Sequence, residues 1–392
     1  MTIAIHDNSV IASSRAAGQR IMVVFGTRPE AIKMMPVVLE LRKRPGFHPV
    51  VVSTGQHRTM LDQVFSLFGE SPDIDLDIMT PGQTLSDITG RVLQEMSKVY
   101  AGQRVDRVLV HGDTTTAMAA ALSAFYARVP IGHVEAGLRS YDLSRPWPEE
   151  FNRVAIDCIA DMMFAPTKLS AGNLRNEYNR QGEILVTGNT GIDALMFVSG
   201  RLDRDVGLVK KCERKFKFLN PERRLVLVTG HRRESFGDGF QQICDGLLSI
   251  AGRGDVEVVY PVHLNPNVRS VVQKRLSGHD AIHLIEPVEY LDMVYLMKRA
   301  HILLTDSGGI QEEGPALGKP VLVMRDVTER PEAVSLGAVE LVGCDPKRIR
   351  SAIDRLLDDR NEYHRRAKPC FPYGDGTAAR RIVDAISEKI AV

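Results

Sequence analysis

The strongest constraint on this chain is an alternation repeated along it: a short continuous apolar run, a glycine or polar turn, then a longer amphipathic stretch. Residues 21–25 (IMVVF) form such a run, followed by the turn GTRPE at 26–30 and a helical stretch at 31–42. The same pattern places strands at 49–53, 107–111, 130–134, 162–165 and 184–186. After a polar, basic stretch at 201–224 the series restarts, with strands at 225–229, 256–262, 281–285, 301–305, 320–324 and 339–342. Continuous apolar runs suit a parallel sheet covered by helices on both faces, whereas half-exposed strands alternate. Two series therefore predict two doubly wound α/β domains, at 20–188 and 189–372. Residues 1–19 lack the apolar core of a signal peptide and read as a disordered leader. A breaker-rich segment at 368–376 precedes a last helix at 377–390, and residues 373–392 are expected to return to the first domain.

Composition narrows the function classes. The formal net charge of +1 gives no global pull toward nucleic acid or an anionic membrane, so any phosphate must be held by local groups. Five widely spaced cysteines with no C-x-x-C argue against a structural zinc site or a disulfide framework and fit a reducing compartment. The apolar runs are strand-sized, so no membrane span is expected. The reading is a cytoplasmic protein without a metal.

In doubly wound sheets ligands sit beyond the carboxyl ends of the strands, so two such domains point to the cleft they face across. Four segments lie at strand ends. In GTRPE, Gly26 lets the backbone approach a ligand, and Pro29 suits a first helical turn. Arg28 and Lys33 then lie near the helix start, where a diphosphate is favoured; an ordinary turn with a surface arginine fits equally well. HGDTTT at 111–116 ends a strand and opens a helix of small residues, and Asp113 taken alone is better read as an N-cap. In HVEAGLRS at 133–140, Glu135 sits at a strand end and is hard to explain as core. PWPEEFNR follows at 146–153, where Glu149 and Glu150 also suit the dipole of a helix start. Asp113, Glu135 and Glu149 are still an unusual supply of acid–base groups for one domain.

The second half repeats the arrangement. TGHRRE at 229–234 mirrors GTRPE, and TDSGGIQEE at 305–313 again runs strand, glycine turn, helix. Ser307, Gly308 and Gly309 offer N–H groups at a helix N-terminus, an anion site that needs no basic side chain. Glu313 suits a ribose diol, or equally a solvated face, and Arg325 and Arg330 add positive charge after the next strand. GDGTAA at 374–379 matches G-x-G-x-x-A but follows no strand, residues 314–319 fall one short of a P-loop, and H-E-x-x-H is absent. A nicotinamide cofactor, an NTPase and a zinc hydrolase all lose ground, and no cofactor is expected.

Together these segments resemble the non-hydrolysing UDP-N-acetylglucosamine 2-epimerases of bacteria. The likeness runs from Arg20 to the C-terminus through GTRPEAIKMMP, HGDTTT, HVEAGLRS, PWPEEFNR, TGHRRESFG, YPVHLNPNV, TDSGGIQEE and RDVTERPEA. It implies two Rossmann-like domains of the glycosyltransferase-B type, UDP held mainly by the second, and a homodimer. Carried over by motif, Asp113, Glu135, Glu149 and His231 form the catalytic set, with Arg28 and Lys33 on the substrate. Ser307, Gly308, Gly309, Glu313 and Arg330 correspond to the uridine and diphosphate group. Val288 stands where a glutamine is common and Met293 where an aromatic often lies, which touches base recognition rather than substrate class. A second sugar nucleotide activates some members; the segments 56–59 and 81–83 with His263 are the place to look, with Gln56, Gln83 and His263 the candidates.

The residues suit the chemistry that the resemblance implies. Carbon 1 of such a sugar is an acetal, so the C2 proton has almost no ground-state acidity. Expelling UDP first puts positive charge on C1, acidifies C2–H and gives a glycal; re-addition of UDP with protonation of the opposite face inverts C2. That route needs cations and helix N-termini for the departing UDP and carboxylates at the ring. Three rivals share the features: a hydrolysing epimerase, a glycosyltransferase of the same fold, and a non-catalytic sugar-nucleotide sensor.

Overall fold

The computed structural model describes residues 18–55, 58–80, 82–177, 182–232 and 236–391, which divide into two compact units. Unit 1 runs to Ala194 and resumes at Gly376; unit 2 is Leu195–Asp375.

Unit 1 alternates strand and helix from β1 (Gln19–Phe25), α1 (Arg28–Arg42), β2 (Phe47–Ser53) and α2 (Arg58–Phe68) to β3 (Ile74–Asp75) and α3 (Leu85–Gly102). It continues through β4 (Arg107–His111), α4 (Thr115–Tyr126), β5 (Ile131–Val134), α5 (Glu149–Ile159), β6 (Met162–Ala165), α6 (Lys168–Asn176) and β7 (Glu183–Val186). Helix α7 (Thr190–Arg204) carries the chain across the boundary between the units. The seven strands order as β3-β2-β1-β4-β5-β6-β7, all parallel. Ile21 to Phe25 are all 0% exposed, each burial stabilising by roughly 1.5–3 kcal/mol before entropy is set against it. Ala117, Ala119, Ala120 and Ala121 are also fully buried, and such small side chains let α4 lie close to α3 and α5.

Unit 2 holds α8 (Val206–Lys215), β8 (Arg224–Thr229), α9 (Asp238–Ala251), β9 (Val256–Pro261), α10 (Pro266–Leu276), β10 (Ile282–Ile285) and α11 (Tyr290–Arg299). After these come β11 (Ile302–Thr305), α12 (Gly308–Ala316), β12 (Val321–Val323), α13 (Pro331–Ser335), β13 (Val339–Leu341), α14 (Pro346–Asp358) and α15 (Arg360–Arg366). Its parallel strands order as β10-β9-β8-β11-β12-β13. Helix α14 shows why the pattern folds this way. Asp345 caps it and Pro346 opens it, while Ile349, Ala352, Ile353, Leu356 and Leu357 bury one stripe, and the helix packs against α9.

The last helix, α16 (Ala378–Ala391), packs on α1 within unit 1. The Asp193 carboxylate accepts from the backbone N–H of Ala378 and Ala379 at 3.2 and 2.8 Å, favourable at a helix N-terminus, and Arg44 pairs with Asp384 at 2.6 Å. Three local features differ from the sequence expectation. Gln19 already belongs to β1, β3 is too short to leave a periodic trace, and the basic stretch contains α8, capped by the Asp205 side chain. Residues 1–17 of the expected leader lie outside the described residues. No described helix is long and apolar enough to cross a membrane.

Candidate active site

Both sheets reverse winding direction at one point, β1/β4 in unit 1 and β8/β11 in unit 2, and the polar motifs cluster there. In unit 1 the turn after β1 is fixed by a capping box. Thr27 caps α1, and the Glu30 carboxylate returns to accept from the N–H of Gly26 at 3.1 Å and of Thr27 at 2.7 Å. Glu30 also accepts from the Thr114 hydroxyl at 2.5 Å, which ties the turn after β1 to the turn after β4. Burial pushes the Glu30 carboxyl up against the hydrogen bonds that lower it. Arg28 and Lys33, half-buried, lie at the start and on the first turns of the same helix.

Glu135 follows β5 with a φ of +69°, in the left-handed region, a conformation that costs a side-chain residue on the order of 1–2 kcal/mol. Its Oε1 meets Lys33 Nζ at 2.6 Å, a pairing of two predicted site residues. Its Oε2 lies 3.1 Å from His111 Nε2, which is out of line for a hydrogen bond. Asp113 pairs with Arg153 Nη2 at 2.5 Å, and its carbonyl accepts from Asn152 Nδ2 at 2.9 Å, so α5 grips it twice. Burial raises the Asp113 carboxyl, the nearby charges of Glu135 and Glu149 raise it further, and Arg153 and Lys33 work in the opposite sense. Glu149 is the half-buried first residue of α5. Its neighbour Glu150 is buried and accepts from the N–H of Ser140 and Tyr141, each at 3.0 Å, which makes it an organiser of the loop after Glu135. Glu135, Glu149, Lys33 and Arg153 therefore all act electrostatically on Asp113.

In unit 2 the hydroxyls of Thr229 and Thr305 meet at 2.6 Å across the reversal point. Asp306, fully buried, accepts from the N–H of His231 at 2.7 Å and of Arg232 at 2.8 Å, and its Oδ1 lies 3.3 Å from His231 Nδ1. Burial pushes the Asp306 carboxyl up, but His231 and the two N–H groups outweigh it and hold it below the usual range. The His231 ring stacks on His263 at 5.3 Å between centroids. Burial and His231 lower the His263 imidazole, and its Nδ1 accepts from the Asn265 N–H at 3.1 Å.

Ser307 caps α12 without spending its side chain on the cap, so the helix start with Gly308 and Gly309 retains first-turn N–H donors. Arg330 lies across this start. A Cβ on Gly308 would come within 2.6 Å of its guanidinium carbon, so only glycine fits there without moving the cation. Arg330 Nε donates to Glu312 at 2.6 Å, and its carbonyl accepts from Tyr373 at 2.9 Å. Glu313 accepts from the Tyr290 hydroxyl at 2.6 Å. Arg325 pairs with Glu329 at 2.9 Å; burial raises that carboxyl, but Arg325 dominates and takes it down to about 2.

Of the three candidates for an activator site, His263 stacks on His231. Gln83 is engaged in its own loop, donating to the Ile78 carbonyl at 2.8 Å and accepting from the Thr80 N–H at 3.0 Å. Gln56 lies outside the described residues. Val288 is buried and Met293 half-buried at the start of α11. Sequence reasoning passed over Glu30, Glu150, Arg153 and Asp306 as site residues. The T-x-x-E spacing from Thr27 to Glu30 was a usable signal for the first; the others have no local signature.

His111 supplies a stability test. Burial, against the pull of Glu135, lowers its imidazole to about 3, so the folded chain keeps it neutral while the unfolded chain protonates it near 6.5. The unfolded state thus binds more protons between those values, and stability is full above 6.5 and lost as pH falls toward 3. Urea unfolding should show His111 costing about 2.5 kcal/mol between pH 7 and pH 4.5, and His111→Gln should remove that part of the pH dependence. An unchanged slope in the variant would contradict it.

A family model described as UDP-N-acetylglucosamine 2-epimerase matches residues 39–387. The UDP-N-acetylglucosamine 2-epimerase of Escherichia coli K12 is 52% identical over 368 residues, covering 94% of this chain and 98% of that protein. The crystal structure of the Neisseria meningitidis enzyme bound to UDP-GlcNAc is similar with a TM-score of 0.89 and 47% identity, over 94% of this chain and 100% of that one. The Methanocaldococcus jannaschii enzyme in complex with UDP-GlcNAc and UDP gives 0.79 and 32%, over the same shares. Similarity at this level, over nearly the whole chain, places the chain in the UDP-N-acetylglucosamine 2-epimerase family.

Proposed function

We infer that the protein interconverts UDP-N-acetylglucosamine and UDP-N-acetylmannosamine by inverting carbon 2, without net hydrolysis. The observation that carries this is the carboxylate cluster of unit 1, in which burial and the charges of Glu135 and Glu149 all raise Asp113. A carboxyl raised by burial and by neighbouring carboxylates is suited to taking a proton and returning one. The relatives whose structures hold UDP-GlcNAc or UDP support the substrate class.

In this reading unit 2 holds UDP. The diphosphate lies at the start of α12 against Ser307, Gly308, Gly309 and Arg330, and Glu313 takes the ribose diol. Arg28 and His231 add positive charge for the leaving group. The C1–O bond breaks with its electron pair going to UDP while a carboxylate takes the C2 proton, and C1=C2 forms. In the return step a UDP oxygen adds to C1, and a second carboxylate delivers a proton to the opposite face of C2. Because the reaction is reversible, donor and acceptor exchange roles with direction. Lys33 holds Glu135 in place by their ion pair, and Arg153 does the same for Asp113 while opposing the burial that raises its carboxyl.

The same reading includes a cytoplasmic homodimer and a second UDP-sugar acting as activator, with His263 the described residue nearest that role. A rate that rises more steeply than a hyperbola with substrate concentration would support the activator; a plain hyperbola would remove it. The central test is proton NMR of UDP-N-acetylglucosamine with the purified protein in deuterated water, without added cofactor or acceptor. Deuterium at C2 in both UDP-linked sugars is the expected result. Free UDP with free N-acetylmannosamine would make the enzyme hydrolysing, and an unchanged spectrum would overturn the assignment.

A further inference from the structure

One buried charged group in unit 1 has no part in the chemistry above, yet it reaches each segment that carries it. Asp157 lies on the last turn of α5, the helix whose first residue is Glu149, and its side chain is 0% exposed. Its Oδ1 meets His133 Nδ1 at 2.6 Å. The other ring nitrogen of His133, also fully buried, meets the carbonyl of Gly112 at 2.8 Å. The Gly112 carbonyl can only accept, so the imidazole donates to it from Nε2, and the contact with Asp157 fixes the other side of the ring. Gly112 has a φ of +65° and immediately precedes Asp113. The second oxygen, Oδ2, accepts from the N–H of Gly137 at 3.3 Å and from Arg139 Nη2 at 2.6 Å. Gly137 has a φ of +84° and closes the turn that begins at Glu135, itself left-handed. Arg139 also donates to Glu177, from Nε at 2.5 Å and from the same Nη2 at 3.0 Å.

We propose that Asp157, acting partly through His133, is the positioning residue that sets the three carboxylates relative to one another. It holds the peptide before Asp113 through the imidazole, the turn after Glu135 through Gly137 and Arg139, and Glu149 through the helix they share. A cluster of charges this deep is a poor device for stability alone, since apolar side chains of the same volume serve a core at least as well. Its contacts fall on the left-handed turns at the ends of β4 and β5, where a backbone shift would misplace a reacting carboxylate. Displacement of a reacting group by about 1 Å can cost on the order of 100-fold in rate.

The proposal rests on the epimerase reading, and the experiment separates the two. For the full-length protein, kcat and KM for UDP-N-acetylglucosamine, UDP affinity by calorimetry and the thermal midpoint are measured in Asp157→Asn, His133→Gln and His133→Asn. With its nitrogen toward Gly137 and Arg139, the amide of Asp157→Asn opposes two donors that need an acceptor; with its nitrogen toward His133, it loses the charge and can hold only an imidazole bare at Nδ1. It should lower kcat about 10- to 100-fold, with KM and UDP affinity within about threefold. Glutamine reaches the place of Nε2 and can still donate to the Gly112 carbonyl, whereas asparagine reaches only the place of Nδ1. His133→Gln should therefore keep most of the kcat that His133→Asn loses. Equal loss in both, or a lowered thermal midpoint with kcat per folded molecule unchanged in Asp157→Asn, would overturn the positioning role. If Asp157→Asn does not fold, the His133 pair decides alone. Absence of C2 exchange in the unmodified protein would instead overturn the reaction itself.

Discussion

Asp113→Asn, Glu135→Gln and Glu149→Gln should each lower kcat for C2 epimerisation roughly 100-fold or more, the usual loss when a proton-transferring group becomes an amide. The three do not have the same side effects. Glu135→Gln leaves Lys33 facing a neutral partner at 2.6 Å, and Asp113→Asn does the same to Arg153 at 2.5 Å. Both cations are largely buried, so these two variants should also lose on the order of 1–3 kcal/mol of stability. Glu149 begins a helix and is half-buried, so its amide should cost only a few tenths of a kcal/mol through the helix dipole. UDP affinity, which this reading gives to unit 2, should stay near that of the unmodified protein in all three. Measuring kcat, UDP binding and unfolding on the same preparations separates lost chemistry from lost fold. Near-normal rates in all three variants would sink the mechanism.

Arg330→Met is expected to weaken UDP binding about 10- to 100-fold, the equivalent of roughly 1.5–3 kcal/mol for a charge-assisted contact to a diphosphate. The geometry sharpens this expectation. Arg330 is held by Glu312 at 2.6 Å and lies against Gly308 at the start of α12, so its charge and the helix N-terminus act on the same anion. Removing it also takes the Nε contact from Glu312, which is only 6% exposed. The double variant with Glu312→Gln therefore separates the loss of the cation at the diphosphate from the loss of its contact with a buried carboxylate. Gly308→Ala should weaken UDP binding in the same direction, because the new methyl occupies the place of the guanidinium. Titration calorimetry with UDP measures all three, and unchanged affinity in Arg330→Met would remove the diphosphate from this turn.

Much of the fold was legible because burial leaves a local trace. A strand covered on both faces must be apolar throughout, and β1, β4, β6 and β8 appear as such runs to within a residue or two. The turns at their ends are legible for a related reason. A glycine followed by Pro29 or by a threonine cap marks where a strand stops and a helix starts, and in doubly wound sheets that is where ligands bind.

The sequence by itself thus determined the class of fold, the strand ends on which chemistry sits, and the residue types available there. The tertiary structure alone decided the partnerships. Lys33 meets Glu135 across 102 residues, and Arg153 meets Asp113 across 40. Glu150, adjacent to Glu149 and of the same type, turns inward to hold backbone, while Glu149 stays half-exposed beside Asp113. Asp157 and His133 read locally as an internal helical acid and a strand histidine, and only the packing of α5 on β5 turns them into a clamp. Periodicity reports which residues leave water, because that depends on the local face of a helix or strand. It carries no information on which buried group lies opposite, because that is set by strand order and helix placement over the whole domain.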